Sequence, residues 1–142
     1  MVVVCHDAGG AEVISAYIKG HPKAYSYTSL VAGPARDIFV RKNIKITLIP
    51  SEEYPWSNFF RAHRIDLLLT SADWASRIPW QVLQAAKKQG VHTVVYLDHW
   101  VCYRERFGYP RQGWQAALPD EMWAGDTYSR RLAKKLFPKT IV

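Results

Sequence analysis

The sequence predicts an α/β fold in three layers: a mostly parallel sheet of six to seven strands with helices on both faces. Three observations lead there. Short runs of β-formers alternate with helix-like stretches along most of the 142 residues. Some of those runs, such as "VVVC" and "LLL", are apolar at successive positions, as in strands covered on both sides. Glycine or proline punctuates most of the junctions.

The elements follow in order. Residues 2 to 6 open the chain as a buried strand, in which Cys5 reads as a small hydrophobe. Gly9 and Gly10 break it, and Ala11, Ile14, Tyr17 and Ile18 then recur at helical spacing until Gly20 and Pro22. "YSYTSLVAG" is the second strand, and Pro34 suits the first turn of a helix carrying Ile38 and Phe39. "IKITLIP" is the third strand. "SEEYPW" is a loop, and Ser57 is positioned to cap a short helix running to His63. "IDLLLTSA" is the fourth strand. Pro79 opens a helix with Val82, Leu83 and Ala86, closed by Lys87, Lys88 and Gly90, since cations suit a helix C-terminus. "HTVVYLD" is the fifth strand. An irregular stretch from 99 to 119 is long enough to suggest a functional loop. "EMWAG" is the sixth strand, Asp126 caps a helix carrying Tyr128, Leu132 and Leu136, and "TIV" begins one more strand. The whole is one Rossmann-like domain spanning 1–142.

Composition narrows the class. Hydrophobic residues make up 49% and charged residues 22%, which is ordinary for a globular domain. Two cysteines, Cys5 and Cys102, give no disulfide framework and point to a reducing cytoplasm. No apolar run reaches the roughly 20 residues of a membrane span, and the N-terminus lacks the pattern of a signal peptide. Net charge is +7, and residues 101 to 142 carry Arg104, Arg106, Arg111, Arg130, Arg131, Lys134, Lys135 and Lys139 against four acids. Such a surface attracts nucleic acid, anionic lipid or phosphorylated small molecules.

In open parallel sheets ligands bind beyond the carboxyl ends of the strands. Here that rim collects His6, Asp7, Gly9 and Gly10 after the first strand and Ser71, Asp73 and Trp74 after the fourth. Asp98, His99 and Trp100 follow the fifth strand, and Gly125 and Asp126 the sixth. The other rim offers mainly turn residues and lysines. The glycine pair lets backbone pass close to a ligand, and the helix behind it aims free N–H groups at a phosphate or carboxylate. A tight corner is the competing reading. The dinucleotide pattern GxGxxG is absent, and no GK[ST] follows.

Neighbours on a strand point to opposite faces, so His6–Asp7 and Asp98–His99 are not dyads in themselves. Across strands, His6 with Asp98 or Asp7 with His99 would supply the carboxylate-held imidazole of a general base. A metal centre has no supporting ligand spacing, and none is expected. The loop "DHWVCYRERFGYPRQGW" interleaves aromatics with Arg104, Arg106 and Arg111. Its arginines suit phosphate, and aromatics such as Trp100 suit a sugar or base.

With "HDAGGAE" after an apolar strand, "YLDHW" after the fifth strand and "LPDEMWAGDTYSRRLAKKLFPKTIV" at the end, the chain resembles the N-terminal domain of GT-B-type glycosyltransferases and related sugar-nucleotide epimerases. The resemblance implies two Rossmann-like domains, with the sugar acceptor on this one and a nucleotide-sugar donor on a C-terminal domain outside these residues. It implies no metal and no cofactor. His6 or Asp7 becomes the base that deprotonates the acceptor, with Asp98 and His99 lining the same cleft. Gly9, Gly10, Ser71, Asp73, Trp100, Arg104, Arg106 and Asp126 are the expected substrate contacts. The implied role lies in cell-envelope or polysaccharide synthesis, in the cytoplasm, with peripheral contact to the anionic inner face of the membrane. The isolated domain is expected to be inactive alone. The alternative is a stand-alone nucleotide- or phosphate-binding α/β module or small hydrolase. Nucleic-acid binding, which rests on charge and aromatics without a motif, ranks last.

Overall fold

The computed structural model describes all residues from Met1 to Val142. Six strands form one parallel sheet: β1 (Val2–Cys5), β2 (Thr28–Val31), β3 (Ile46–Leu48), β4 (Leu67–Ser71), β5 (His92–Leu97) and β6 (Glu121–Ala124). Their order is β3-β2-β1-β4-β5-β6, a Rossmann-like arrangement. Five helices connect them: α1 (Ala8–Gly20), α2 (Ala35–Arg41), α3 (Trp56–Ala62), α4 (Ile78–Lys88) and α5 (Thr127–Leu136). No helix is long and apolar enough to cross a membrane.

Strand side chains alternate between two cores, one on each face of the sheet. Val3, Cys5, Val31, Leu69 and Val94 pack against Ala11, Ile14 and Ile18 of α1 and Ala35, Ile38 and Phe39 of α2. Val2, Val4, Leu30, Leu68, Val95 and Leu97 face the other way, toward Trp56 and Phe60 of α3 and Val82, Leu83 and Ala86 of α4. Ala133 of α5 and Phe137 join that second core. The unbroken apolar strands seen in the sequence are therefore strands buried on both sides, and each large side chain so covered contributes about 1.5–3 kcal/mol.

Details depart from the sequence reading in three places. Trp56 begins α3, after Pro55, and no side chain caps it, so Ser57 is a first-turn residue rather than a cap. The buried stripe of α5 is Ser129 and Ala133, continued by Phe137, and Tyr128 is turned outward. Leu132 and Leu136 pack, partly buried, against the same core as expected, and only Tyr128 lies off the stripe. The terminal "TIV" makes a single parallel bridge, Ile141 to Glu121, rather than a full strand. Asp126 does cap α5, accepting from the Ser129 backbone N–H at 2.7 Å. The long connection after β5 is partly ordered by two 3₁₀ turns, Glu105–Phe107 and Trp114–Ala117.

This order reverses direction at β1, which lies between β2 and β4. The crevice at such a reversal is where open α/β sheets place ligands. The loops after β1 and β4 meet there.

Candidate functional site

His6 and Asp73 come together at that crevice. His6 follows β1 and Asp73 follows β4, and His6 Nδ1 lies 2.5 Å from Asp73 Oδ2. The carboxylate is nearly covered, at 4% exposure, while the imidazole is 24% exposed. Asp73 Oδ1 also accepts from the Ala75 backbone N–H at 2.5 Å, which fixes the carboxylate from behind. A carboxylate on Nδ1 holds the proton there and leaves Nε2 as the basic nitrogen. Gly33, at φ 52°, stands opposite that nitrogen, and a β-carbon on it would lie 2.7 Å from Nε2. The sequence offered His6 with Asp98, or Asp7 with His99. The structure pairs His6 with Asp73, because β4 and not β5 is the neighbour of β1.

Asp7 turns the other way and closes the start of α1. Its Oδ2 accepts from the Gly10 backbone N–H at 2.6 Å. Its Oδ1 accepts from the Ser71 hydroxyl. Burial pushes the Asp7 carboxyl above its ordinary value, and the nearby Asp98 and Asp73 charges push it the same way, against the bonds from Ser71 and Gly10. The helix terminus expected to receive an external phosphate is thus already occupied by the protein's own carboxylate. The glycine pair has a packing reason as well. A β-carbon on Gly9 would fall 2.3 Å from Asp98 Oδ2, and one on Gly10 would fall 2.2 Å from Ser71 Cβ.

Asp98 is held by Arg106 rather than by a histidine. Arg106 Nη1 donates to Asp98 Oδ1 at 2.7 Å and to the Ala72 carbonyl, and Nε donates to the Val101 carbonyl at 3.2 Å. Both side chains of the pair are largely covered, at 7% and 16% exposure. Arg106, expected as a substrate contact, therefore ties the long loop to the strand ends. His99 is exposed and does not pair with Asp7. Its Nδ1 accepts from the Trp100 backbone N–H at 3.0 Å.

Asp7, Asp73, Trp74, Asp98, His99 and Arg106 share one cavity of about 260 Å³. Trp74 overhangs it at 59% exposure, with the Arg106 guanidinium 5.9 Å from its ring centroid. Farther along the rim Trp100 is also exposed, and its indole N–H donates to Asp126 at 2.8 Å and to the Ser129 hydroxyl at 3.1 Å. The bonds from Ser129 and Trp100 hold the Asp126 carboxyl below its usual range. Arg104 lies apart, lining a different groove against Trp114, Leu118 and Phe137. No group of three or more His, Cys, Asp or Glu is arranged to hold a metal ion.

The cavity thus joins acceptor-rich carboxylates and an exposed indole, and one of its carboxylates, Asp73, orients the His6 imidazole just outside the lining. Carboxylates accept from hydroxyls and an indole face covers apolar sugar C–H groups, so the chemistry suits a polyol. Trp74 stands in the sequence beside Asp73, and its exposure is what marks it as part of the site. No family model, curated protein or solved structure matches the chain.

Proposed function

We propose that this chain is the acceptor-binding domain of a GT-B-type glycosyltransferase of cell-envelope or polysaccharide synthesis, working with a nucleotide-sugar donor carried on a second domain. The observation that supports this most is the His6–Asp73 pair at the strand-order reversal, with the cavity of carboxylates and Trp74 beside it.

In this reading an acceptor hydroxyl lies against His6 Nε2, on the side of the ring that faces Gly33. Nε2 takes the hydroxyl proton as the oxygen bonds to the donor's anomeric carbon. The bond from that carbon to the nucleotide breaks, and its electron pair leaves with the phosphate oxygen. Asp73 keeps His6 in the needed tautomer and stabilises the imidazolium that forms. Gly33 leaves open the space next to Nε2 that the hydroxyl must occupy. Peripheral contact with an anionic membrane belongs to the same proposal, supported by Arg130, Arg131, Lys134 and Lys135, all exposed on α5.

The test is turnover by the complete two-domain enzyme. His6→Ala should lower kcat by about 10²–10⁴, the usual worth of a general base, with little change in donor KM. Unchanged turnover in that variant would overturn the assignment of the base. The 142-residue chain alone should bind saccharide without nucleotide, as read by calorimetry.

A further inference from the structure

Beside the acid-lined cavity runs a second groove of about 260 Å³, between the start of α4 and residues 105 to 111. The two share Asp73, Trp74 and Arg106, so they are adjoining compartments of one cleft. Their charge differs in kind. The first compartment presents Asp7, Asp73 and Asp98, with its one arginine bound to Asp98. The second adds Arg77 and Arg111, and neither guanidinium forms an ion pair.

The groove is ordered for a ligand that only accepts hydrogen bonds. The Arg111 guanidinium lies 5.2 Å from the Trp80 ring centroid, a stacking that holds its fork in place before anything binds. The Trp80 indole N–H is buried and has no partner. A buried donor left unpaired costs about 1–3 kcal/mol, so an acceptor that reaches it is favoured. Gly108, at φ 98°, faces this nitrogen, and a β-carbon there would stand 2.8 Å from it. Of the acids on the groove, Asp73 is occupied by His6 and Ala75, which leaves Glu105 as the one unpaired carboxylate against two arginines.

We propose that this groove binds a phosphoryl group belonging to the same molecule whose hydroxyls meet the carboxylates of the first compartment, so that the acceptor is a sugar phosphate. The inference rests on the acceptor-site reading above for the hydroxyl end, and on the groove alone for the phosphoryl end. Two planar forks and an indole N–H offer donors in several directions, which matches a tetrahedral group with three terminal oxygens. The segregated cleft then selects by both ends. Carboxylates accept from sugar hydroxyls and repel a phosphate, whereas the arginines hold the phosphate.

The experiment titrates the ¹⁵N-labelled 142-residue chain, at constant ionic strength, with inorganic phosphate, a hexose phosphate and the unphosphorylated hexose, following the Trp80 indole resonance. Both phosphates should shift that resonance, and the hexose phosphate should bind about tenfold tighter than inorganic phosphate because it reaches both compartments. The free hexose should perturb Trp74 and leave Trp80 in place. The double variant Arg77→Gln/Arg111→Gln, changed at two exposed positions, should weaken both phosphates at least about tenfold while sparing the hexose. A Trp80 resonance unmoved by phosphate, or equal binding by the double variant, overturns the phosphoryl subsite. That failure is separable from failure of the acceptor reading. A silent Trp80 with an inactive His6→Ala enzyme removes the groove alone, and a responsive Trp80 with a fully active His6→Ala enzyme removes the assigned base alone.

Discussion

The Asp98 carboxylate lies in the space that a side chain on Gly9 would need: a β-carbon there would stand 2.3 Å from Asp98 Oδ2. Gly10 has the corresponding relation to Ser71, at 2.2 Å between β-carbons. The two glycines differ in what would have to move, and so in what alanine should do. At position 9 the obstacle is a carboxylate that Arg106 holds in a covered ion pair, so it yields only by disturbing that pair. At position 10 the obstacle is a strand residue buried at 0% exposure. Gly10→Ala should therefore cost about 1–3 kcal/mol in urea unfolding through the sheet, while Gly9→Ala should lose a similar amount through the Asp98–Arg106 pair, so that its cost shrinks in an Arg106→Met background.

The base assignment carries its own geometric test. Gly33→Ala introduces strain at φ 52° and places a methyl 2.7 Å from His6 Nε2. In the complete enzyme it should depress kcat about as strongly as His6→Ala, by about 10²–10⁴. Asp73→Asn should fall as far as His6→Ala, because its oxygen takes the Ala75 N–H and its NH2 then faces Nδ1, which shifts the ring proton to Nε2. Equal turnover in wild type and Gly33→Ala would place the reacting hydroxyl elsewhere.

Arg106 joins the long loop to the sheet through Asp98, the Ala72 carbonyl and the Val101 carbonyl. Removing one member of a covered ion pair strands the other. Arg106→Met should cost about 3–5 kcal/mol, a large part of a domain's usual stability. Restoring neutrality in Arg106→Met/Asp98→Asn should recover part of that loss, measured as a double-mutant cycle in urea.

Asp7 should make the domain less stable as pH rises. Burial, helped by Asp98 and Asp73, lifts its folded-state value above the ordinary 3.8. The folded chain then binds more protons than the unfolded chain between 3.8 and the raised value, so stability falls as pH climbs through that window. Asp7→Asn keeps an acceptor for the Gly10 N–H and removes the charge. It should melt higher than wild type at pH 7, with the difference vanishing below pH 3.8.

Asp120 acts with the opposite sign. Burial pushes its carboxyl up, but bonds from the Thr93 hydroxyl and backbone N–H, and from Lys87, outweigh this and hold it below 3.8. Its contribution is present above 3.8 and is lost as pH falls through the depressed folded value. Asp120→Ala should cost about 1–2 kcal/mol at pH 7 by leaving the buried Thr93 groups unpaired, and the gap to wild type should close in acid.

Much of this architecture can be read from the sequence because it depends on local signals. Apolar runs such as "VVVC" mark doubly covered strands, and Asp126 sits where a helix cap belongs. The polar rim also follows from strand ends alone. Partners across the rim do not. His6 and Asp73 are 67 residues apart, and their meeting depends on the chain passing from β3 back to the far side of β1. Nothing in the residues around either one encodes that neighbour relation. The role of Arg106 was hidden for a similar reason: an arginine in a basic loop reads as exposed, and only the packed structure reveals that it points inward to Asp98.

The reversal of strand order at β1 also divides the domain into two stretches of chain that meet along one line. Residues 1 to 50 build β1, β2 and β3 with α1 and α2, and residues 51 to 142 build the rest. His6 belongs to the first stretch and Asp73 to the second. The connection between them passes through the exposed residues 51 to 53. Cut there, neither fragment carries a complete dyad, and restoring it requires β1 to zip against β4. The His6–Asp73 contact is in this sense a record of the seam, present only when both stretches are packed edge to edge.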